Sequence, residues 1–182
     1  MRKIIVAQYV SLDGVVEAPE QWHFPYVDPN MFRVLGEVNR EIDTMLLGRV
    51  TYQVFADTFA NAPADDAIAA ELNRPAKVLV SSTVTEPTWD RTTVIADDVV
   101  DQVRALKEAP GSNILVNGSI QLSQTLLAAG LVDELHLFIH PIVVGHGRRL
   151  FPEQGSQLPL TVASSEVFPT GVWSVRFRVG QA

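Results

Sequence analysis

The sequence predicts an α/β fold with a mainly parallel sheet of about eight strands, and three observations carry that prediction. Short β-branched apolar runs alternate with stretches of helical periodicity, as when Ile114-Leu115-Val116 is followed by Leu122, Thr125, Leu126 and Ala129. Two of these runs, ending at Leu47 and Val116, pass through a glycine turn straight into a helix. Near the end the character changes: residues 160–168 and 172–179 are β-rich and joined by Pro169-Thr170-Gly171, the pattern of an antiparallel hairpin. Strands alternating with helices and then a hairpin imply a parallel sheet with an antiparallel edge.

Taken in order, residues 2–10 are a largely apolar run suited to a sheet covered on both faces. Residues 11–26 are irregular, with Gly14, Pro19 and Pro25 as breaks, and loops of that length are often functional. Asp28-Pro29 reads as an N-cap and first helical residue, and Met31, Leu35, Val38 and Ile42 continue that helix on one face. Met45-Leu46-Leu47 is a short buried strand ended by Gly48-Arg49, and residues 51–59 form the next helix. Pro63-Ala64-Asp65 opens a short helix that must finish before Pro75. Residues 77–81 and 92–96 are strands. Val99, Val100, Val103 and Leu106 mark a helix between Asp98 and Glu108. Gly130 is placed as the left-handed residue that ends the helix after Ser119. Residues 133–144 then read as a long strand in which Leu135, Leu137 and Ile139 alternate with His136, Phe138 and His140. The partly apolar second face of that strand needs cover, which suggests a twofold partner and a homodimer.

At 182 residues the chain fits one domain, 1–182, able to bury roughly 70% of its unfolded surface. Hydrophobic residues make up 47% and charged residues 19%, a balance expected of a soluble globular protein. The net charge of −7, from 14 basic and 21 acidic side chains, argues against a nucleic-acid surface. Cysteine is absent, which removes disulfides, thiol nucleophiles and thiolate metal sites. No leader pattern and no span for a membrane is visible, so a cytoplasmic protein is expected. His23, His136, His140 and His146 form no metal set, because residues four apart on a strand are too distant for one ion.

Three strand exits are candidates for a phosphate site: Asn117-Gly118-Ser119-Ile120, Gly48-Arg49-Val50-Thr51, and Ser81-Ser82-Thr83. A helix N-terminus offers amides without intrahelical partners and the positive end of a dipole, and Gly118 would let an anion approach the backbone. The plainer reading is that Gly118 makes a tight turn and Ser119 caps the helix. In an open α/β sheet ligands bind beyond the carboxyl ends of strands, so the three exits can share one edge. Together they offer amides, hydroxyls and one guanidinium, which suits a phosphorylated ligand. No G-x-G-x-x-G follows the first strand and no G-x-x-x-x-G-K-[ST] occurs. Asp13 either orients a substrate or supplies a proton, or it simply forms an Asp-Gly turn. Trp22, Phe24 and Tyr52 either stack on a flat heterocycle or belong to the core.

QYVSLDGVV, LLGRVTYQVF, VNGSIQL and LVDELHLFIHPIVVGHGRRLF resemble the dihydrofolate reductase-like family, close to the C-terminal reductase domain of bifunctional riboflavin-biosynthesis deaminase/reductase proteins. The resemblance spans nearly the whole chain and implies a three-layer α/β/α fold, NADPH as cofactor and often a homodimer. By motif, Gly48, Arg49 and Thr51 would hold the cofactor's phosphates, with Arg49 at the 2′-phosphate. Ser81 and Ser82 would line the adenosine side, Asn117, Gly118, Ser119 and Ile120 the pyrophosphate, and Ala7 the nicotinamide. Asp13 would be the candidate catalytic residue, with Trp22 and Tyr52 towards the substrate. The implied substrate is a small heterocycle, either pteridine-like or like 5-amino-6-(5-phosphoribosylamino)uracil. Two alternatives stay open: a nucleotide-binding protein without turnover, and a ligand-free dimeric scaffold. The family's glycine-rich pyrophosphate turn is here Asn117-Gly118-Ser119. No buried acid stands between Pro29 and Ile42, because Glu37 and Glu41 lie off the apolar face, so folate reduction is disfavoured. No zinc-ligand spacing of a deaminase precedes the reductase-like part, and the expectation is the reductase-like domain alone.

Overall fold

Eight strands and five α-helices follow one another along the described residues of the computed structural model, which are 1–63, 65–153 and 155–180. They are β1 (Ile4–Ser11), α1 (Pro29–Arg40), β2 (Ile42–Gly48), α2 (Arg49–Phe59), α3 (Ala67–Asn73), β3 (Ala76–Val80) and β4 (Thr92–Ile95). Then come α4 (Val99–Glu108), β5 (Asn113–Asn117), α5 (Ile120–Ala128), β6 (Glu134–His140), β7 (Leu160–Val167) and β8 (Trp173–Val179). The eight strands make one sheet in the order β4-β3-β2-β5-β1-β6-β8-β7. β4 to β6 are parallel, and β8 pairs antiparallel with both β6 and β7.

Helices cover both faces, because β1, β2 and β5 are apolar on both. On one face Val103 of α4 and Leu122 and Leu126 of α5 pack against Ile4, Val6, Leu46, Ile114 and Val116. On the other, Val38 of α1 meets Ile5, Ala7 and Leu115, while Tyr52 and Ala56 of α2 meet Met45, Leu47 and Leu79. Each fully buried aliphatic chain here contributes about 1.5–3 kcal/mol of transfer free energy. This is the three-layer α/β/α arrangement with an antiparallel C-terminal edge that the sequence predicts.

Local chemistry sets the boundaries. Asp28 caps α1 by accepting from the amides of Asn30 (2.7 Å) and Met31 (3.3 Å). Ile42 opens β2 instead of closing α1, since the helix ends at Arg40 and the apolar residue is needed in the sheet. Asp66 caps α3, one residue beyond the expected Pro63-Ala64-Asp65 start, of which Ala64 lies outside the described residues. Thr125 of α5 is exposed, and Ser123 instead joins Leu122 and Leu126 on the buried face. Gly130 takes φ +66° after α5, the left-handed stop expected of it.

β6 stops at His140, where Pro141 follows, and does not run on to residue 144. Its second face is not bare: His136, Phe138 and His140 are all buried within the chain, Phe138 against Met31 and Val34 of α1. That removes the expected reason for a twofold partner. The exposed strand is β7, at the sheet edge. The Asp133-Glu134 pair ties the β1 end of the sheet together. Asp133 accepts from the Ile4 amide (2.7 Å) and Lys107 Nζ (2.6 Å), and buried Glu134 accepts from Lys3 and Arg176. None of the described helices is long and apolar enough to cross a membrane.

Candidate active site

The three turns singled out in the sequence meet at one edge. β3, β2 and β5 are parallel neighbours, so their carboxyl ends at Val80, Gly48 and Asn117 lie side by side. β5 ends at Asn117, level with Ala7 of β1, whereas β6 keeps pairing with β1 as far as Ser11. Beyond Ala7, then, one flank of β1 has lost its strand partner, and a groove opens there at a reversal of strand order. Such a point is where open α/β sheets take their ligands.

Two of the turns are stitched to each other. The Gly48 amide donates to Ser119 Oγ (2.9 Å), and the Ser119 amide donates to Thr51 Oγ1 (3.0 Å). Gly118 and Ser119 adopt successive left-handed conformations, φ +61° and +51°. The Gly118 carbonyl accepts from Gln8 Nε2 and from Ser123 Oγ (3.2 Å). A Cβ at Gly118 would lie 3.2 Å from Thr51 Cγ2, so the missing side chain makes room for Thr51. The positive φ and this close approach, more than access for an anion, explain the glycine. Ser119 does not cap α5 with its hydroxyl: the oxygen serves Gly48, and the residue is 9% exposed. Thr51 and Ser119 therefore build the site, each hydroxyl oxygen accepting from an amide of the other's turn.

What faces outward is backbone. α2 and α5 begin side by side with no side-chain cap at either start. Their first-turn amides have no intrahelical acceptors, and both dipoles are positive at that end. Arg49 opens α2, is exposed, and donates only to Gln53 Oε1 (3.2 Å) among the described residues. Asp43, a conceivable competitor for it, is taken by Arg2 and by the Ser112 amide (2.6 Å). Ser81 is buried and its Oγ accepts from the Thr83 (3.2 Å) and Val84 (3.0 Å) amides, whereas Ser82 is exposed at the rim. The arrangement can hold an extended anion across two helix N-termini with a guanidinium at one side.

The residues expected on the substrate side divide. Tyr52 belongs to the core: it is 3% exposed and its hydroxyl accepts from the Trp89 amide (2.8 Å), so it cannot stack on a ligand. It shares the buried face of α2 with Ala56, one turn further on. Asp13 accepts from Ser11 Oγ (2.6 Å) and from the amides of Val144 (3.1 Å) and Gly145 (2.9 Å). The Ser11 hydroxyl first, and then those amides, hold its pKa down at about 2. With three donors on its carboxylate, Asp13 anchors the 144–145 turn, a structural role that accounts for the residue. Glu17, with Arg148 Nε at 2.6 Å, joins the same two segments. Trp22 is buried, donates its indole N–H to the Glu17 carbonyl (3.1 Å) and sets its ring across that of His140 (5.2 Å, 84°). Among the described residues α1 offers the sheet only Met31, Val34 and Val38 as buried side chains; Glu37 and the C-cap Glu41 are exposed.

A group that the sequence did not single out stands beside Trp22. Tyr9, two residues past Ala7 on the same face of β1, stacks on His23 (4.6 Å, 14°) and stands edge-on to His140 (5.6 Å, 80°). Tyr26 also meets His140 edge-on (5.7 Å, 84°). The period-2 alternation of β1 was the available signal for Tyr9; nothing local marked His140, which arrives opposite Ser11 through the β1–β6 pairing.

Residues 2–174 match the family model described as the RibD C-terminal domain. The Bacillus subtilis (strain 168) protein YyaP is 29% identical over 174 residues, covering 94% of this chain and 92% of its own. Among solved structures, a Shewanella sp. PV-4 protein named for riboflavin biosynthesis superposes with a TM-score of 0.77 at 24% identity, over 98% of this chain and 99% of that one. A dihydrofolate reductase from Enterococcus faecalis, complexed with NADP(H) and RAB-propyl, superposes with a TM-score of 0.63 at 15% identity, over 97% and 94%. At these identities the two structures speak for the fold.

Proposed function

We propose, since the chain belongs to the RibD C-terminal domain family, that it is a cytoplasmic reductase that uses NADPH to reduce a small planar heterocycle, pyrimidine-like or pteridine-like. The observation that carries this reading is the pair of uncapped helix N-termini, α2 and α5, stitched side by side next to an arginine with no carboxylate partner among the described residues. When bound, NADPH supplies a hydride at its nicotinamide ring. The chain's own residues bind and orient. The first-turn amides of α2 and α5 take the pyrophosphate, including those of Thr51 and Ile120, and Gly48, Asn117, Gly118 and Ser119 hold the two turns in register. Arg49 takes the 2′-phosphate, and Ser82, with Ser81 behind it, borders the adenosine. Ala7 forms the floor where β5 ends, and there the nicotinamide lies against β1. The segment 12–26, fastened to residues 144–149, closes the groove on the substrate side and keeps water out. That the dihydrofolate reductase of like fold carries NADP(H) supports the same use of this groove. The reading includes a homodimer, with the exposed edge strand β7 as the element free to pair.

Arg49→Ala tests the cofactor assignment. A hydrogen bond to a charged group is worth roughly 1.5–3 kcal/mol, so losing Arg49 should weaken NADPH binding about ten- to a hundredfold. NADH lacks the 2′-phosphate, and its Kd should barely move. Equal losses for both cofactors, read by fluorescence titration, would reject the 2′-phosphate role.

A further inference from the structure

Four aromatic rings surround His140. Tyr9, Trp22, His23 and Tyr26 each lie nearly perpendicular to its imidazole, with centroids 5.2 to 6.0 Å away. His140 itself is fully buried. Its Nδ1 lies 2.8 Å from the Phe138 carbonyl oxygen. A carbonyl can only accept, so Nδ1 carries the proton and Nε2 of the neutral ring is a lone-pair acceptor. Among the described residues that Nε2 is buried without a hydrogen-bond partner, as are the Nδ1 atoms of His23, in the same cluster, and of His136, further back on β6. Buried polar atoms are nearly always paired, and the exceptions gather where a ligand or a reaction supplies the missing partner. Burial also holds the pKa of His140 below its ordinary value, which keeps Nε2 an acceptor at neutral pH.

The same cluster contains a ring-shaped space already filled from within. His23 lies flat on Tyr9, 4.6 Å between centroids and 14° between planes, the geometry of a bound planar heterocycle. Its segment consists of two single-turn 3-10 helices, Pro19–Gln21 and Phe24–Tyr26, and the adjoining Phe24 is 65% exposed. Tyr9 lies on the same face of β1 as Ala7, about 7 Å further along the strand. It stands on the stretch of β1 that continues after β5 has ended. The slot on Tyr9 therefore lies on the same strand face as Ala7, next to the point where the groove opens.

We infer that the substrate of this enzyme is a planar heterocycle bearing a ring N–H, which displaces His23 from the face of Tyr9 and donates that N–H to His140 Nε2. His140 is then the residue that selects for an N–H at that ring position, and His23 is the internal occupant that the substrate replaces. This deepens the reductase reading above and rests on it.

The test uses three probes on the NADPH-saturated protein: lumazine and uracil, which carry ring N–H groups, and 1,3-dimethyllumazine, which has lost those of its pyrimidine ring. Binding is measured by calorimetry for the parent, His140→Leu, His140→Gln and His23→Ala, and the His140 ring nitrogens are followed by 15N NMR. The expected results are binding of lumazine or uracil about tenfold tighter than the dimethyl compound, and loss of that preference in His140→Leu. His140→Gln, which keeps a carbonyl acceptor, should recover part of it. His23→Ala should bind lumazine severalfold more tightly, because the slot is already clear. In the parent, the Nε2 resonance should shift on adding lumazine. Equal affinity for methylated and unmethylated lumazine, or no binding of lumazine and uracil at millimolar concentration in either the parent or His23→Ala, would overturn the inference. A separate NADPH titration tells the two failures apart: NADPH bound with no N–H preference rejects only the His140 role, whereas no NADPH binding rejects the reductase reading and the inference with it.

Discussion

Thr51→Val probes the joint between the α2 and α5 turns, on which the proposed cofactor groove depends. The substitution keeps the shape of the side chain and removes only the oxygen that accepts from the Ser119 amide at 3.0 Å. Ser119 is 9% exposed, so its N–H would be left buried without a partner. That costs about 1–3 kcal/mol. For a chain of this size each kcal/mol lowers Tm by roughly 2–4 °C, which gives an expected drop of about 2–12 °C. Thr51→Ser keeps the acceptor and loses the methyl group that touches the Gly118 position, so it should melt close to the parent. Because the bond fixes α5 relative to α2, NADPH affinity at 25 °C should fall severalfold in the valine variant and not in the serine one. Thermal melts by circular dichroism and NADPH titrations on the three proteins provide the comparison. If the valine and serine variants lose the same stability, the bond is not what holds the two turns in register, and the description of the groove is wrong.

Tyr52→Phe removes the acceptor for the buried Trp89 amide and should cost about 1–3 kcal/mol in urea unfolding while leaving the Kd for NADPH unchanged; a changed Kd with unchanged stability would put Tyr52 back in the site. Burial, with Arg176 adding to it, pushes the pKa of His136 down to about 4, against about 6.5 in an unfolded chain. The unfolded state then binds more protons between those values, so this contribution is whole above pH 6.5 and is lost as pH falls towards 4, up to about 3 kcal/mol. Urea midpoints at pH 7 and 4.5 should therefore separate more for the parent than for His136→Gln, and equal separations would refute the assignment. Light scattering at micromolar concentration should report about twice the 20.0 kDa of one chain, and a monomer mass would reject the homodimer.

Much of the fold is legible in the sequence because it rests on local signals. Asp28-Pro29, Gly130 and Pro169-Thr170-Gly171 each act through their own backbone, and the apolar runs at residues 4–7, 45–47 and 114–116 suit strands buried on both faces. The boundaries that moved did so for tertiary reasons: Ile42 satisfies a helical period and a strand start equally well, and only the packed sheet decides. The three strand exits are legible as a candidate phosphate site for the same local reason, each being a strand run broken into a helix or a hydroxyl-rich turn. Which atoms face outward is not legible. Thr51 and Ser119 bond each other's turns across 68 positions of sequence, and Tyr52 bonds Trp89 across 37. Nothing near them reveals those partners. The cluster around His140 was missed for the same reason, since its rings come from β1, the loop after it and the end of β6.

The most direct test of the central claim is a crystal structure of the protein soaked with NADPH. The account predicts the pyrophosphate within hydrogen-bond distance of the first-turn amides of both α2 and α5, the 2′-phosphate on the Arg49 guanidinium, and the nicotinamide against Ala7 where β5 ends. A cofactor bound anywhere else, or clear density for the groove with no cofactor at millimolar NADPH, would contradict it.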